Sequence, residues 1–255
     1  MKGWSFEARI SRAAELAKTH PAARELLTFY GKLAAFQKPV YEDLQSCAQS
    51  DVRALMRYFP ELIDLVCRSG PEPLAEFGAT HLSTEDSRLE LLLTSWERDA
   101  ESTHALGEER RFYARVLLQP FAEHLAARGS IGSEATVPTC PFCSARPVAG
   151  VLRGEGEGAK RSLLCSLCST EWLFRRVLCP NCGNEEKDAL PAYTSEDFPL
   201  VRVEACDRCK TYIKSVDLTK NGRAVPTVDE LATVALNVWA EEHGYTKVEP
   251  NLLGM

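Results

Sequence analysis

The sequence predicts an α+β protein: an all-helical N-terminal domain, then a cysteine-rich region of short strands, then a C-terminal helix. Three observations carry that prediction. Apolar residues recur at three- and four-residue spacing from residue 5 to about 128, eight of the ten cysteines fall between residues 140 and 209 as Cys-x-x-Cys pairs, and a Gly/Ser/Pro-rich stretch separates the two textures. With 255 residues, 45% of them hydrophobic, the chain can bury a sizeable core as one large domain or two small ones, and disorder is excluded.

Within the helical domain, set at residues 1–130, Tyr30, Leu33, Ala34 and Tyr41 mark one segment, and Leu55, Met56, Phe59, Leu62, Ile63 and Val66 mark a second. A third helix is expected around Ser87 to Asp99. A longer one from Glu108 to Arg128 lines one face with Phe112, Val116, Leu117, Phe121 and Leu125, and Pro120 is expected to kink it. Gly129 to Pro138 has no apolar period and reads as a linker. Beyond it, Pro147–Leu152, Ser162–Leu164, Glu171–Leu178 and Leu200–Glu204 read as strands, each ending beside a cysteine pair. Each of two stretches supplies a pair, a hairpin-length insert and a second pair, so they read as duplicated modules at 138–178 and 179–218. In the last segment, 226–255, a helix is expected from Thr227, with Glu230 completing a capping box before Leu231, Val234, Ala235, Val238 and Trp239.

Charge narrows the function classes. Thirty Lys plus Arg against thirty-six Asp plus Glu give a net charge of −6, and acidic residues also slightly outnumber basic ones from residue 140 onward, so no field draws in nucleic acid or anionic lipid. Lys2, Glu7, Arg9, Arg12 and Glu15 interrupt the first fifteen residues, which contain no signal-like apolar run. Apolar stretches such as Leu91-Leu92-Leu93 are far below the roughly 18 residues a bilayer span needs. The reading is a soluble cytoplasmic protein with reduced thiols, which disfavours disulfides.

Each Cys-x-x-Cys turn can aim two thiolates at one tetrahedral ion, at sulfur–metal distances of about 2.3 Å. Sequential pairing gives a first site of Cys140, Cys143, Cys165 and Cys168 and a second of Cys179, Cys182, Cys206 and Cys209, with 21 and 23 residues between the paired turns. A cross-braced pairing, first turn with third and second with fourth, is the alternative. Four thiolates suit zinc or iron equally. Such sites are closed, whereas a catalytic zinc keeps a position open and often uses histidine; His20, His81, His104, His124 and His243 all lie outside the segment, as surface or helix-face residues. No catalytic residue is therefore assigned. A knuckle of this kind is usually followed by glycine, and Gly183 supplies it once while Ser144, Ser169 and Lys210 stand at the other three positions.

Weaker features have plain readings. Gly154-Glu-Gly-Glu-Gly158 reads as a hairpin tip, because its acidic residues would repel phosphate. Trp172, Arg175 and Arg176 are candidate partner-binding residues; a strand with one buried face is the competing reading. Cys47 and Cys67 fall in helical patterns as core or partly buried thiols.

The C-terminal half resembles the formate dehydrogenase accessory protein family, of the FdhE type. The resemblance rests on Cys-Pro-Phe-Cys-Ser-Ala-Arg-Pro-Val-Ala-Gly (140–150), Leu-Cys-Ser-Leu-Cys-Ser-Thr-Glu-Trp (164–172), Cys-Pro-Asn-Cys-Gly (179–183) and Glu-Ala-Cys-Asp-Arg-Cys-Lys-Thr-Tyr-Ile-Lys (204–214). It continues through 229–237 and the tail Asn251-Leu-Leu. The family pattern has Gly where this chain has Ser144 and Asp where it has Asn237; neither difference removes a ligand. The resemblance implies two rubredoxin-like metal sites on the eight paired cysteines, with iron preferred and zinc possible as the two bound ions. It implies a non-catalytic, chaperone-like cytoplasmic maturation factor that binds the molybdenum-containing catalytic subunit of respiratory formate dehydrogenase, with a homodimer possible. Two other classes compete: a zinc-ribbon nucleic-acid or transcription-associated module, and a rubredoxin-like electron-transfer protein.

Overall fold

Ser5 opens the first helix, its hydroxyl accepting a hydrogen bond from the Ala8 backbone N–H at 3.2 Å as a serine cap does. The computed structural model describes residues 4–46, 51–97, 107–129, 136–156 and 158–255. Among them the helical half comprises α1 (Phe6–Thr19), α2 (Arg24–Ser46), α3 (Phe59–Ser69), α4 (Glu72–His81), α5 (Glu85–Glu97) and α6 (Glu108–Arg128). Leu55 lies in a 3-10 turn ahead of α3 rather than in the helix. Leu27, Leu33, Leu55, Leu62, Leu92 and Leu117 form the centre of one core, and α2 packs against both α1 and α6. Most of the expected linker, with Cys47 and His104, lies outside the described residues.

Helix α6 departs from the expected one-sided stripe. Arg111, Arg115, His124 and Pro120 are buried along with its apolar residues, and the helix runs on through Pro120. The physical reason is that helices cover one side and the cysteine-rich half covers the other, so its polar side chains need partners rather than solvent. Gln119 donates to the Ser166 carbonyl at 2.9 Å, and Arg115 donates to the Pro250 carbonyl at 2.9 Å and pairs with Glu249.

The strands form one sheet: β1 (Pro147–Glu155), β2 (Gly158–Cys165), β3 (Glu171–Leu173), β4 (Ala192–Thr194), β5 (Val201–Cys206), β6 (Thr211–Asp217) and β7 (Thr246–Lys247), ordered β3-β2-β1-β6-β5-β4 with β7 on β6. Two antiparallel hairpins, β1–β2 and β5–β6, are joined by parallel pairing of β1 with β6 through Gly150↔Ser215 and Val151↔Val216. Gly150 is required there, since a Cβ would lie 2.1 Å from the Ser215 hydroxyl. The strand expected over Glu171–Leu178 ends at Leu173, and β4, β6 and β7 are strands absent from the sequence reading. The hairpin tip forms where expected, with Glu155 paired to Gly158 and Gly156 at φ +55.

The C-terminal helix expected from Thr227 is two helices, α7 (Pro226–Ala232) and α8 (Val234–Glu242). No capping box forms. The Thr227 hydroxyl is buried without a hydrogen-bond partner, and Asp229 instead accepts from the Val225 N–H at 2.7 Å. Glu230 turns inward to Lys214, Lys247 and Asn251. Val225, Val228, Leu231 and Ala232 join the core of the helical half, while the Lys214 ammonium of β6 donates to the Glu230 carbonyl at 2.7 Å. The segment therefore packs on both halves. Arg12 of α1 completes the clasp with a two-pronged pair to Asp229, at 3.0 and 2.5 Å.

Candidate metal centres

The eight paired cysteines come together as two groups of four: Cys140, Cys143, Cys165 and Cys168, and Cys179, Cys182, Cys206 and Cys209, with all sulfurs in a group within 4.8 Å of one another. The groups follow sequential rather than cross-braced association. In the first, Cys140–Cys168, Cys143–Cys165 and Cys143–Cys168 sulfurs are 3.5, 3.4 and 3.4 Å apart; in the second, Cys179–Cys209 and Cys182–Cys206 are 3.7 Å apart. A tetrahedral ion with 2.3 Å bonds needs edges of about 3.8 Å, so both groups fit one ion each with little adjustment. Each is a closed four-sulfur set of the type that holds zinc or iron.

The backbone builds this geometry from repeated turns. Tight turns bring N–H groups onto the first sulfur of a pair: Phe142 onto Cys140 at 3.4 Å, Leu167 onto Cys165 at 3.3 Å and Asn181 onto Cys179 at 3.4 Å. The residue after each pair then takes a left-handed conformation, with φ +60 at Ser144, +52 at Ser169, +70 at Gly183 and +55 at Lys210. Knuckle geometry thus survives at all three positions that lack glycine, against a left-handed penalty of roughly 1–2 kcal/mol for an ordinary residue. Thr170 and Thr211, each two residues past its last cysteine, place a hydroxyl 3.1 Å from the Cys168 and Cys209 sulfurs, so the two groups share this contact. The spacing Cys-x-Thr was visible in the sequence at both places.

Four adjacent thiols cannot ionise independently. Hydrogen bonds from Cys143, Cys165 and Cys168 hold the Cys140 thiol far below its ordinary value, whereas burial first, and its neighbours second, push the Cys165 thiol well above. In the second group burial pushes Cys179 up to about 12. A bound cation would relieve this by favouring every thiolate.

Surroundings differ between the two groups. Cys140, Cys165 and Cys168 belong to an apolar cluster with Ala122 of α6, Trp172, Phe174 and Val248, while in the second group Cys182 is exposed and Cys209 half-buried. Next to the first group, Ser169 donates to Glu123 of α6 at 2.7 Å, and Arg9 of α1 reaches both at 2.8 and 3.3 Å. Cys179 and Cys206 line a cavity of about 70 Å³ that also meets Arg161, Arg176 and Arg202. Arg161 and Arg202 converge there on Glu204 at 2.7 and 2.5 Å. Sequence reasoning missed the Arg9–Glu123, Arg9–Ser169 and Arg161–Glu204 contacts, because those partners lie far apart in the chain.

Other sequence candidates separate cleanly. Trp172 is 5% exposed and its indole N–H donates to the Val137 carbonyl at 2.9 Å, while Arg175 and Arg176 are on the surface, Arg175 paired with Glu185 at 2.7 Å. Cys67 is exposed rather than core, because it falls on the solvent side of α3, opposite Leu62 and Val66. His124 is buried, edge-on to Tyr41, rather than a surface histidine, for the reason given for α6.

Fold and site together define an α+β protein with two closed four-cysteine metal-binding groups on one sheet, clasped by a helical domain. Residues 139–176 match the family "FdhE, central domain" and residues 177–253 match "FdhE, C-terminal domain". A protein FdhE homolog of Aquifex aeolicus is 28% identical over 97% of this chain and 95% of its own, and one from Haemophilus influenzae strain PittEE is 24% identical over 95% and 85%. The crystal structure of the FdhE protein from Pseudomonas aeruginosa superposes with a TM-score of 0.72 at 22% identity, over 98% of this chain and 95% of that one, and so shares the fold. Residues 139–253 thus carry both FdhE domain patterns, and the chain is similar to FdhE homologues over nearly its whole length. Among the described residues, no helix is long and apolar enough to cross a membrane.

Proposed function

We propose that this protein is a non-catalytic maturation factor for respiratory formate dehydrogenase, acting in the cytoplasm on the catalytic subunit. The observation that carries the reading is the pair of closed four-cysteine groups lying within the region matched by both FdhE domains. The eight cysteines are the metal ligands, each group holding one ion, with iron preferred and zinc the alternative. Closed four-sulfur coordination leaves no position for substrate or water, which favours a binding role over a catalytic one.

A client has to meet a surface, and the exposed Arg175 and Arg176 beside the second group offer guanidinium donors for it, whereas Trp172 supports the fold from within. The reading is tested by deleting the gene and by affinity capture from anaerobically grown cells. Loss of formate dehydrogenase activity with unchanged transcript, together with co-purification of the catalytic subunit, is the expected result; intact activity in the deletion strain overturns it. Anaerobic purification followed by visible absorption and electron paramagnetic resonance separates iron from zinc.

A further inference from the structure

We propose that the two four-cysteine groups divide the work: the first is a structural clasp that closes the helical half onto the sheet, and the second is an exchange site open to external ligands. This goes beyond the accessory role and does not depend on which client is served.

The first group is the more enclosed of the two, with Cys143 half-buried and no exposed member. Three of its four cysteines are buried, and its knuckle is held by both α1 and α6 through Arg9, Glu123, Ser169 and the Gln119 bond to Ser166. Freeing all four sulfurs, the buried Cys140 and Cys165 among them, means parting the helical half from the sheet, which breaks a buried ion pair and exposes apolar core. Releasing its ion is therefore coupled to a large opening.

The second group stands at the far side of the sheet, on the module that ends in β4, and among the described residues no helix covers Cys182. Cys182 is exposed and Gly183 beside it has nothing within 4 Å of where a Cβ would lie, so an incoming ligand atom meets no obstruction at that corner. Exchange then starts at Cys182. With an ion bound, a competitor's donor atom would take the position held by the Cys182 sulfur, which would leave carrying a proton. Such ligand exchange would not change the ion's oxidation state, so neither oxidant nor reductant is needed. Cys209, half-buried, follows, and the enclosed Cys179 and Cys206 let go last.

The test uses the full chain loaded with zinc and an excess of the chromogenic chelator 4-(2-pyridylazo)resorcinol, with samples quenched in N-ethylmaleimide and mapped by mass spectrometry. The expected result is two phases separated by about tenfold or more in rate, since each 1.4 kcal/mol of extra opening cost is a factor of ten. The first phase carries half the zinc and labels Cys179, Cys182, Cys206 and Cys209 with helical circular dichroism unchanged, and the second labels Cys140, Cys143, Cys165 and Cys168 as ellipticity falls; the exposed Cys67 is labelled without metal release. Release of both ions in one phase, or labelling of Cys140, Cys143, Cys165 and Cys168 first, overturns the proposal. Cys182→Ser gives a second check: such a chain retains one slowly released ion, and loss of both overturns the division.

Discussion

The hydroxyl of Ser169 donates a 2.7 Å hydrogen bond to the carboxylate of Glu123, tying the left-handed residue of a metal knuckle to helix α6 of the helical half. Glu123 also accepts from the buried Arg9 at 2.8 Å. Removing it strands a buried guanidinium, so Glu123→Ala is expected to destabilise the protein by about 3 kcal/mol or more. Urea unfolding of the metal-loaded chain measures this, and the conservative Glu123→Gln is expected to cost less because it can still accept from Ser169.

The left-handed residues allow a test of backbone strain. At Gly183, φ is +70 and a Cβ meets nothing within 4 Å, so Gly183→Ala isolates the conformational cost, expected at about 1 kcal/mol. Lys210→Gly, at φ +55, is expected to move stability the other way, by several tenths of a kcal/mol, since only exposed contacts are lost. Paired thermal melts read both.

Glu230 gives the stability a pH signature. Burial alone would raise its carboxyl, but Lys214 and Lys247 overcome that and hold it down at about 2. A depressed carboxyl contributes stability that is present above its unfolded value of about 4.3 and is lost as pH falls through about 2. Lys214 works with the opposite charge: burial lowers it to about 8, so the unfolded chain holds its proton more tightly and stability gains as pH rises from 8 toward 10.5. Denaturant midpoints measured in metal-loaded protein should fall less steeply between pH 5 and 2 in Glu230→Gln than in the wild type.

The same residue shows what a sequence can and cannot reveal. The four cysteine pairs announce themselves because ligands to one ion must sit on short turns, and the helical half is legible because burial imposes a 3.6-residue period. Glu230 lies three residues after a threonine and reads as part of a cap, yet its partners are Lys214 and Lys247 on separate strands. Strand β6 escaped for a related reason: Lys214 sits at a position that reads as solvent-facing but is fully buried. Arg12–Asp229 and Arg115–Glu249 join residues more than a hundred positions apart, and no local pattern encodes such pairs. The reach of α6 against the sheet is set by these distant contacts.

Trp172 and the neighbouring arginines separate folding from recognition. Truncating a buried indole costs about 3–5 kcal/mol, so Trp172→Ala is expected to lower stability and client capture together. Arg175 and Arg176 are exposed, and their replacement by alanine should leave unfolding within about 0.5 kcal/mol of the wild type. Reduced capture of the formate dehydrogenase catalytic subunit by the double arginine variant, at unchanged stability, would locate the client on that edge.

Native mass spectrometry of anaerobically purified protein tests most directly whether the chain holds two independent four-sulfur metal sites. The wild-type chain should carry two ions. Cys140→Ser and Cys165→Ser should each leave one ion, as should their combination, because both residues belong to the same group, whereas Cys140→Ser with Cys206→Ser should leave none. A wild-type chain holding a single ion, or a double variant of Cys140 and Cys165 that loses both, would contradict two independent sites.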